Sequence, residues 1–340
     1  MAIEAAKLFV SVSADIGNAV AGLAQVDSKV NQLGSKLQSA GIKMTAAFTA
    51  PLIMLGKSAI ETGVKFDRSM GVLRAASDAT ADEMEQLKDL AKSLGEDLTL
   101  PGTSAADAAE AMLELSKAGL KVNDVMNASR GVLQLSAAGQ ISNAQAAEVT
   151  ANAMNAFGLA GEEATRVADL LAAAANSSSA DVSDMADALR MASAVAASAN
   201  IPIEDVTTAL SEMANAGIKG SDAGTSFKQM LLSLQAPSEK AKKLMQELGI
   251  SVYDAQGNML PMEGLIGQFT NALSGMTQEQ RNAALATIFG SDAVRAANVV
   301  LMGGVENFRQ MKDAVTEVGA AQELAAGQMN GMAGAMENIK

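Results

Sequence analysis

The residues best suited to bind a phosphate group lie in a glycine-rich segment, 216–226, which reads AGIKGSDAGTS. Its glycines, its hydroxyl groups and Lys219 are the groups that surround phosphates in nucleotide-binding loops. The order is wrong for this chemistry, because a P-loop needs its lysine directly after the last glycine and a strand before the first. Here Lys219 precedes Gly220, and a helical pattern precedes both. We therefore predict that the segment ends one helix and begins the next.

The stretch from Asp254 to Glu263 has some of the acidic and amide side chains of a calcium-binding loop. Ala255 and Gly257 stand where the EF-hand pattern has other requirements, so too few ligands could gather around an ion. The residues 250–260 instead read as a β-branched run, an Asp/Gly turn and a second apolar run, which is the pattern of a hairpin. The sequence predicts a small β-hairpin here rather than a metal site.

Acidic side chains could also act in pairs, since glycoside hydrolysis needs only two carboxylates across a cleft. Glu162, Glu163 and Asp169 are among many acidic residues, but nothing in the sequence selects a pair. We expect most of them on solvated helix faces or near helix N-termini, where the helix dipole favours negative charge. The chain also lacks histidine and cysteine, the usual acid–base group, thiol nucleophile and metal ligands. We predict no catalytic residue, no metal site and no cofactor.

The chain is acidic, with 38 Asp and Glu against 25 Lys and Arg and a formal net charge of −13. Binding to nucleic acid needs clustered Lys and Arg that neutralise phosphates. We therefore predict no specific binding to nucleic acid.

The composition favours helices throughout the 340 residues, because 49% are hydrophobic but only 3% are aromatic. Alanine, leucine and methionine supply much of the apolar content and have high helix propensity, whereas sheets are richer in aromatic and β-branched residues. We predict an all-α fold with an N-terminal strand and heptad-like helix in residues 1–60 and a multi-helix globular core in 61–310, decorated by the hairpin. Residues 311–340 are expected to begin a further, truncated helix.

A narrow apolar stripe follows the short alternating pattern at 7–13. Its members recur at spacings of three and four residues, as in a coiled coil, and such a stripe needs a partner helix. Self-association and packing within the chain both stay open, because Gly17, Gly22 and Gly34 weaken an isolated coiled coil. The predicted self-association or docking site consists of Ile16, Val20, Leu23, Val26, Val30, Leu33 and Leu37.

Beyond residue 60, signals for helix starts and stops recur. A serine or threonine with Glu or Gln three residues later forms a capping box, and a glycine marks the end of the helix. The clearest sets are Thr80, Glu83 and Gly95; Ser142, Gln145 and Gly158; and Thr277, Gln280 and Gly290. We predict that helices begin and end there and that short loops join them.

Two stretches of the predicted core, 111–125 and 209–223, align without gaps. Each reads as a helix that ends at a glycine, Gly119 or Gly217, followed by an apolar residue that packs back on the helix. The offset of 98 residues, from 111 to 209, is long for a solenoid repeat. Duplication of a half-domain is therefore favoured over a repeat array, with chance similarity between Ala-rich helices as the alternative.

Several segments that run through most of the chain are typical of one protein family. They are AFTAPL at 47–52, FDRSM at 66–70, AMLELSKAG at 111–119, the Ala-rich stretch 137–159, and the more specific blocks ANAGIKGSDAGTSF at 214–227, LGISVYDAQGN at 248–258 and IFGSD at 288–292. With them the chain resembles the N-terminal conserved region of bacteriophage tail tape-measure proteins.

The resemblance implies a structural protein of the virion. Such a protein occupies the lumen of the tail tube, templates tail length during assembly in the host cytoplasm and leaves ahead of the genome at infection. The implied partners are the tail tube protein, tail assembly chaperones, baseplate or tip hub proteins, and further copies of the chain in a trimer or higher homo-oligomer. Because family members are usually much longer, the shaft that measures length is expected elsewhere in the full product.

Two other classes of protein stay open from the sequence. A membrane-active helical protein would contact the host membrane to assist genome delivery, and Phe48 to Leu55 is the best segment for it, although no apolar stretch reaches the length of a bilayer span. A cell-wall-degrading enzyme would need the carboxylate pair that the sequence does not single out.

Overall fold

The structure, a computed structural model, describes residues 62–97, 99–100 and 102–329. The chain divides after Glu61 into two units, and the described residues belong to the second, which begins at Thr62. These residues are helical from one end to the other, and they form no strand or sheet. The all-α fold predicted from the composition is confirmed.

The described residues form a series of α-helices joined mostly by short loops. Their bounds are 62–76 (α1), Ala81–Gly95 (α2), Ala105–Lys117 (α3), Val122–Gly139 (α4), Asn143–Phe157 (α5), Ala164–Ser177 (α6), Val182–Ser198 (α7), Ile203–Asn215 (α8), Gly220–Gln235 (α9), Glu239–Glu247 (α10), Met262–Leu273 (α11), Gln278–Val300 (α12), Val305–Val315 (α13) and Ala320–Met329 (α14). A 3-10 turn, Gly161–Glu163, precedes α6.

The helices from α3 to α9 stack as successive pairs in two layers. α3, α5, α7 and α9 pack side by side in the first layer, and α4, α6 and α8 form the second. α12 packs against α8 and α9, at the last pair. A third layer covers the other face of the second, since α14 lies on α4 and α6 while α13 lies on α6 and α8. The second layer is therefore buried on both faces.

The stacked pairs recur at a regular interval, since the helices of the first layer begin at residues 105, 143, 182 and 220, one every 38 or 39 residues. Hydrogen bonds join successive pairs between residues 35 to 37 positions apart: Asn155 Nδ2 to Ala118 O (3.3 Å), Gly161 N to Asp124 Oδ1 (3.1 Å) and Ser179 Oγ to Ala214 O (2.6 Å). The interval is close to that of helical solenoids, in which each repeat contacts its neighbours.

The three predicted capping boxes are present. The side-chain oxygens of Thr80, Ser142 and Thr277 each accept a backbone N–H three residues later, and the side chain at that position accepts the N–H of the cap residue. The predicted ends of the first two helices are also confirmed. α2 ends at Gly95, and Gly158 follows α5 in the left-handed region with φ 66°.

The predicted stop at Gly290 falls inside a longer helix, since α12 continues to Val300. The backbone is nevertheless not helical at Gly290, where φ is 72° and ψ is −176°. Side chains with a Cβ avoid this combination, which glycine adopts readily. The first helical stretch of α12 therefore ends at Gly290, as predicted, and a second stretch follows it directly.

The two similar stretches, 111–125 and 209–223, contain the same turn. Gly119 after α3 and Gly217 after α8 have φ values of 90° and 85°. In each turn the N–H of the next residue donates to the carbonyl five residues earlier, at 3.2 Å after α3 and 2.9 Å after α8. This is the geometry of a Schellman helix end. Because α3 lies in the first layer and α8 in the second, the half-domain duplication stays a prediction.

The predicted β-hairpin at 250–260 is wrong. The segment is an irregular loop between α10 and α11 with one isolated antiparallel bridge, between Tyr253 and Met259. Ile250 and Val252 are buried in the helical core. A single bridged pair is too short to continue as a ladder, and the β-branched side chains are used to fix the loop to the helices. The run was therefore a signal for burial and not for strand pairing.

The many alanines and glycines allow the helices to approach closely. In the first layer α7 and α9 cross closely, since a Cβ placed on Gly224 would lie 2.1 Å from Ala188 O. Ala188, Ala192 and Ala223 are almost entirely buried around this crossing. Small side chains bring the two backbones together, which explains why a chain so poor in aromatic residues forms a large core.

Candidate functional site

The predicted docking stripe, from Ile16 to Leu37, lies outside the described residues and stays a prediction. The segment Phe48 to Leu55, considered for membrane contact, lies outside them as well. The described unit contains the other segments considered for chemistry: the glycine-rich segment, the loop after Asp254 and the acidic residues of α6.

The glycine-rich segment 216–226 is a turn between two helices. α8 ends just before it, Gly217 supplies the left-handed residue, and α9 begins at Gly220. The Lys219 amine donates to the backbone oxygen of Ser179, in the loop between α6 and α7. The segment thus has the cap-and-turn structure predicted from the order of its residues, and its lysine is engaged within the fold.

The side chain of Asp254 holds the loop 254–258 together. Its Oδ1 accepts the backbone N–H groups of Gln256 (2.9 Å) and Asn258 (2.8 Å). Hydrogen bonding, foremost from the backbone of Asn258, lowers the pKa of the Asp254 carboxyl. The carboxylate therefore stabilises the turn at 254–258. Across the described residues, no group of three or more acidic side chains is arranged to hold a metal ion.

The three acidic residues considered for catalysis have structural partners. Glu163 forms an ion pair with Arg166, and Glu162 accepts a hydrogen bond from Asn127 Nδ2 at 3.4 Å. Asp169 is buried in α6, with an exposed fraction of 8%. Asp169 belongs to a set of buried carboxylates in the second layer that the sequence analysis did not predict.

Three carboxylates are buried in the described part of the chain, namely those of Asp169, Asp205 and Glu212. All three lie in the second layer, on α6 and α8, and all three contact the third layer. A buried carboxylate is costly unless hydrogen bonds or an opposite charge compensate for the lost water. We call this set of three residues the carboxylate latch, because each member fastens a helix of the third layer.

Asp169 caps the N-terminus of α14 from another helix. Its Oδ2 accepts the N–H of Gly319 at 2.9 Å, and its Oδ1 accepts the N–H of Ala321 at 3.1 Å. One N–H lies just before the helix and the other in its first turn, where backbone donors have no partner within the helix and the helix dipole favours a negative charge. A side chain of α6 thus performs the role that a local Ser or Asp performs at other helix starts.

The other two members of the carboxylate latch hold α13. Lys312 Nζ lies 2.7 Å from Asp205 Oδ1, and Asn307 Nδ2 donates to Glu212 Oε1 at 2.7 Å. Oε2 of Glu212 has no hydrogen-bond partner among the described residues. Burial raises the pKa of the Glu212 carboxyl to about 7, and the bond from Asn307 only partly opposes that shift. Glu212 is therefore partly protonated near neutral pH.

One sequence signal could have found two members of the carboxylate latch. Asp205 and Glu212 are seven residues apart in α8, a spacing that puts them on one helix face. Apolar residues at Val206, Ala209 and Met213 show that α8 is a core helix, so two acidic residues on a single face indicate a polar contact inside the core. Their partners in α13 are about 100 residues further along and carry no local signal.

The first layer carries a surface groove between α5 and α7 with a volume of about 180 Å³. Val149 and Leu189 are among its apolar lining residues. Arg190, also in the lining, pairs with Asp187 at 2.5 Å. Ligand sites are usually about 300–1,000 Å³, so the groove has room for a few side chains rather than for a cofactor.

Within the part of the chain that the structure describes, no single helix is both long and apolar enough to cross a membrane. α12 and α13 pass such a test only when taken together, and they are bent by 81° at their junction.

The comparisons with known proteins identify the class to which this helical array belongs. A family model described as "Phage-related minor tail protein" matches residues 88–290, from within α2 to the break in α12. The match covers both layers of paired helices and more than half of the chain. The chain therefore belongs to the family of phage-related minor tail proteins.

Relatives of the chain carry a more specific name. It is 38% identical over 318 residues to the "Tape measure protein" of Pneumococcus phage Dp-1, an alignment that covers 93% of this chain and 27% of that protein. It is 29% identical over 265 residues to the "Probable tape measure protein" of Escherichia phage P2, covering 77% of this chain and 32% of that protein. The chain spans about a third or less of these relatives, and no solved structure matches it. The resemblance to tape-measure proteins is confirmed.

Proposed function

We propose that this chain is the folded part of a tape-measure protein, which occupies the lumen of the tail tube, templates tail length during assembly and leaves ahead of the DNA at infection. The observation that carries the proposal is the 38% identity to a tape measure protein over 93% of the chain. Membership of the minor tail protein family supports a structural and non-enzymatic role in the phage tail.

Within such a protein, we assign this unit to anchoring and assembly rather than to measurement. A single helix of residues 62–329 would extend about 400 Å at ~1.5 Å per residue, whereas the chain instead folds into three packed layers. A length-measuring segment must be extended, so the measuring shaft belongs to the remaining two thirds or more of a full-length protein of the relatives' size.

The surface charge suits a protein that shares the tube with DNA. The formal net charge of −13 opposes binding to phosphate groups, so the protein can leave without holding the genome. The proposed partners are the tail tube protein, tail assembly chaperones, and baseplate or tip hub proteins. Further copies of the chain, in a trimer or higher oligomer, are proposed to pair through the stripe from Ile16 to Leu37.

The test is a pair of insertions in the full-length phage gene. One adds two heptads, fourteen residues, after Leu37, and the other adds the same fourteen residues after Gly275, in an exposed loop between α11 and α12. Tail lengths are measured by electron microscopy of purified particles. If the described unit is an anchoring body, the loop insertion leaves tail length unchanged, since it adds nothing to an extended shaft.

The insertion after Leu37 decides whether the N-terminal stripe belongs to the shaft. Tails longer by about 21 Å, at ~1.5 Å per residue, assign it to the measuring shaft, and unchanged tails assign it to the anchoring unit. A similar lengthening from the loop insertion would contradict the anchoring role. Normal tails from a phage that lacks this part of the gene would refute the tape-measure proposal altogether.

A further inference from the structure

In the third layer, α13 is held to the array by few fully buried apolar side chains. In α13, which the structure describes in full, the buried side chains are Phe308 and Val315. In α8, directly below, every residue from Asp205 to Ala214 is buried. α13 and α14 form what we call the C-terminal strap, and the buried apolar side chains of α14 are small ones, those of Ala320, Ala321 and Ala325.

Polar contacts also attach the C-terminal strap to the second layer. Asp169 holds the first turn of α14, while Asp205 and Glu212 hold α13 through Lys312 and Asn307. These carboxylates return to water when the strap lifts, and their hydration offsets part of the loss of apolar contact. A surface fastened in this way separates at a lower cost than one of equal area formed by apolar side chains alone.

The backbone at the two ends of α13 has the features of hinges. Gly304 precedes α13 with φ 89°, and Gly319 follows it with φ 85°. Val318, beside the second glycine, is 91% exposed. Both glycines are only partly buried and stand next to the exposed residues Gly303 and Val318, and Gly319 becomes free to turn once its N–H leaves Asp169.

We propose that the C-terminal strap opens from the array as a unit while the paired helices stay folded, and that the carboxylate latch sets how often it opens. Segments with few buried apolar contacts are the ones that open locally, below the free energy of global unfolding. Given the proposed function, opening would let the chain beyond α14 be drawn away from the folded unit without unfolding it. The opening itself is a property of the purified chain and does not depend on that function.

The absence of cysteine from the chain allows a direct measurement. Ala325 in the strap and Ala192 in α7 are both fully buried alanines, so Ala325→Cys and Ala192→Cys form a matched pair. The rate at which a thiol reagent labels each variant reports how often that site is exposed. We expect the Ala325→Cys variant to react about a hundredfold faster than the Ala192→Cys variant, because local opening exposes only the first.

A second substitution tests the carboxylate latch. Asp169→Asn puts an amide donor near two backbone donors, so one N–H at the start of α14 loses its acceptor. Combined with Ala325→Cys, Asp169→Asn is expected to speed thiol labelling about tenfold. Combined with Ala192→Cys, it is expected to leave the labelling rate unchanged. Glu263→Gln is the control, since it removes the exposed ion pair with Arg309 of the strap (2.8 Å) and should change the rate less than about twofold.

Equal labelling rates in the Ala325→Cys and Ala192→Cys variants would overturn the proposal, as would an effect of Asp169→Asn of the same size at both positions. If a cysteine variant does not fold, hydrogen exchange of the unmodified chain gives the same comparison between residues 305–329 and 182–215. Faster exchange of the strap supports its independent opening, and uniform exchange refutes it. Tail length plays no part in these readouts, so they stand or fall separately from the tape-measure proposal.

Discussion

At the scale of single residues, the ionisation of Glu212 makes the stability of the fold depend on pH. Its side chain is 5% exposed, and only one of its oxygens accepts a hydrogen bond from the described residues. Burial raises its pKa from 4.5 to about 7. Between these two pH values the folded chain holds a proton that the unfolded chain has released, so the stability that Glu212 contributes is complete below about pH 4.5 and is lost as the pH rises through 7.

Replacing Glu212 with Gln removes this dependence on pH. The Gln side chain keeps an oxygen that can accept the bond from Asn307, and it is neutral at every pH. We expect the Glu212→Gln variant to melt a few degrees above the parent chain at pH 8 and at about the same temperature at pH 4.5. Thermal unfolding followed by circular dichroism across this range checks the prediction. Glu263→Gln, at a partly exposed carboxylate, is the control. A parent chain that is more stable than the Glu212→Gln variant at pH 8 would show that the ionised carboxylate is favoured in its buried position.

Residue-level features were predictable from sequence when they depended on neighbours within a few positions. Thr80 with Glu83 and Ser142 with Gln145 are capping boxes because a side chain reaches a backbone group three residues away. Gly217 follows the same logic at a helix end. Asp169 could not be assigned, since the N–H groups that it caps lie 150 and 152 positions further on.

At the scale of helices, Gly224 fixes the spacing of the first layer. No side chain fits between α7 and α9 at this point, because a Cβ there would meet the backbone oxygen of Ala188. The contact cannot be relieved by a change of rotamer, since neither atom belongs to a flexible side chain.

Gly224→Ala is therefore expected to destabilise the fold by about 1–3 kcal/mol, the usual cost of overpacking. Gly71→Ala is the matched control, since Gly71 lies in α1 with no atom close to the position of a Cβ. Alanine has the higher helix propensity, so this change should stabilise by up to about 1 kcal/mol. Urea unfolding of the two variants gives both values. A Gly224→Ala variant as stable as the parent would mean that α7 and α9 can separate at no cost.

The layered arrangement of the helices could not be predicted from sequence. Periodicity and caps give the helices one at a time, but contacts such as that of Gly224 with Ala188 decide which of them lie side by side. The similarity of 111–125 to 209–223 drew attention to an offset of 98 residues, whereas the stacked pairs recur every 38 or 39. The helix pairs repeat in their geometry and not in their sequence. Hydrogen bonds such as that from Ser179 Oγ to Ala214 O join successive pairs.

At the scale of the whole molecule, the negative charge predicts no affinity for DNA. Among the described helices, lysines are most closely spaced in α10, where Lys240, Lys242 and Lys243 stand between Glu239 and Glu247. Three lysines on an acidic chain neutralise few phosphates, so we expect no retardation of duplex DNA in a gel at about 50 mM salt. Retardation that weakens with added salt and disappears in a Lys242→Glu, Lys243→Glu variant would contradict this prediction and identify α10 as a binding surface.

The hydrogen bonds between Asp169 and the start of α14 join residues that are synthesised at different times. Its two partners are 150 residues apart in the chain, and ribosomes add about 5–20 residues per second. Asp169 is thus made about 8–30 seconds before the helix start that it caps. During that interval each new helix pair can dock on the pair already made, but the face of α4, α6 and α8 that α13 and α14 later cover stays open to solvent. The nascent chain is most exposed to aggregation at this stage, and a protein that shields one face of a helical layer would be needed most while residues 216–329 are being made.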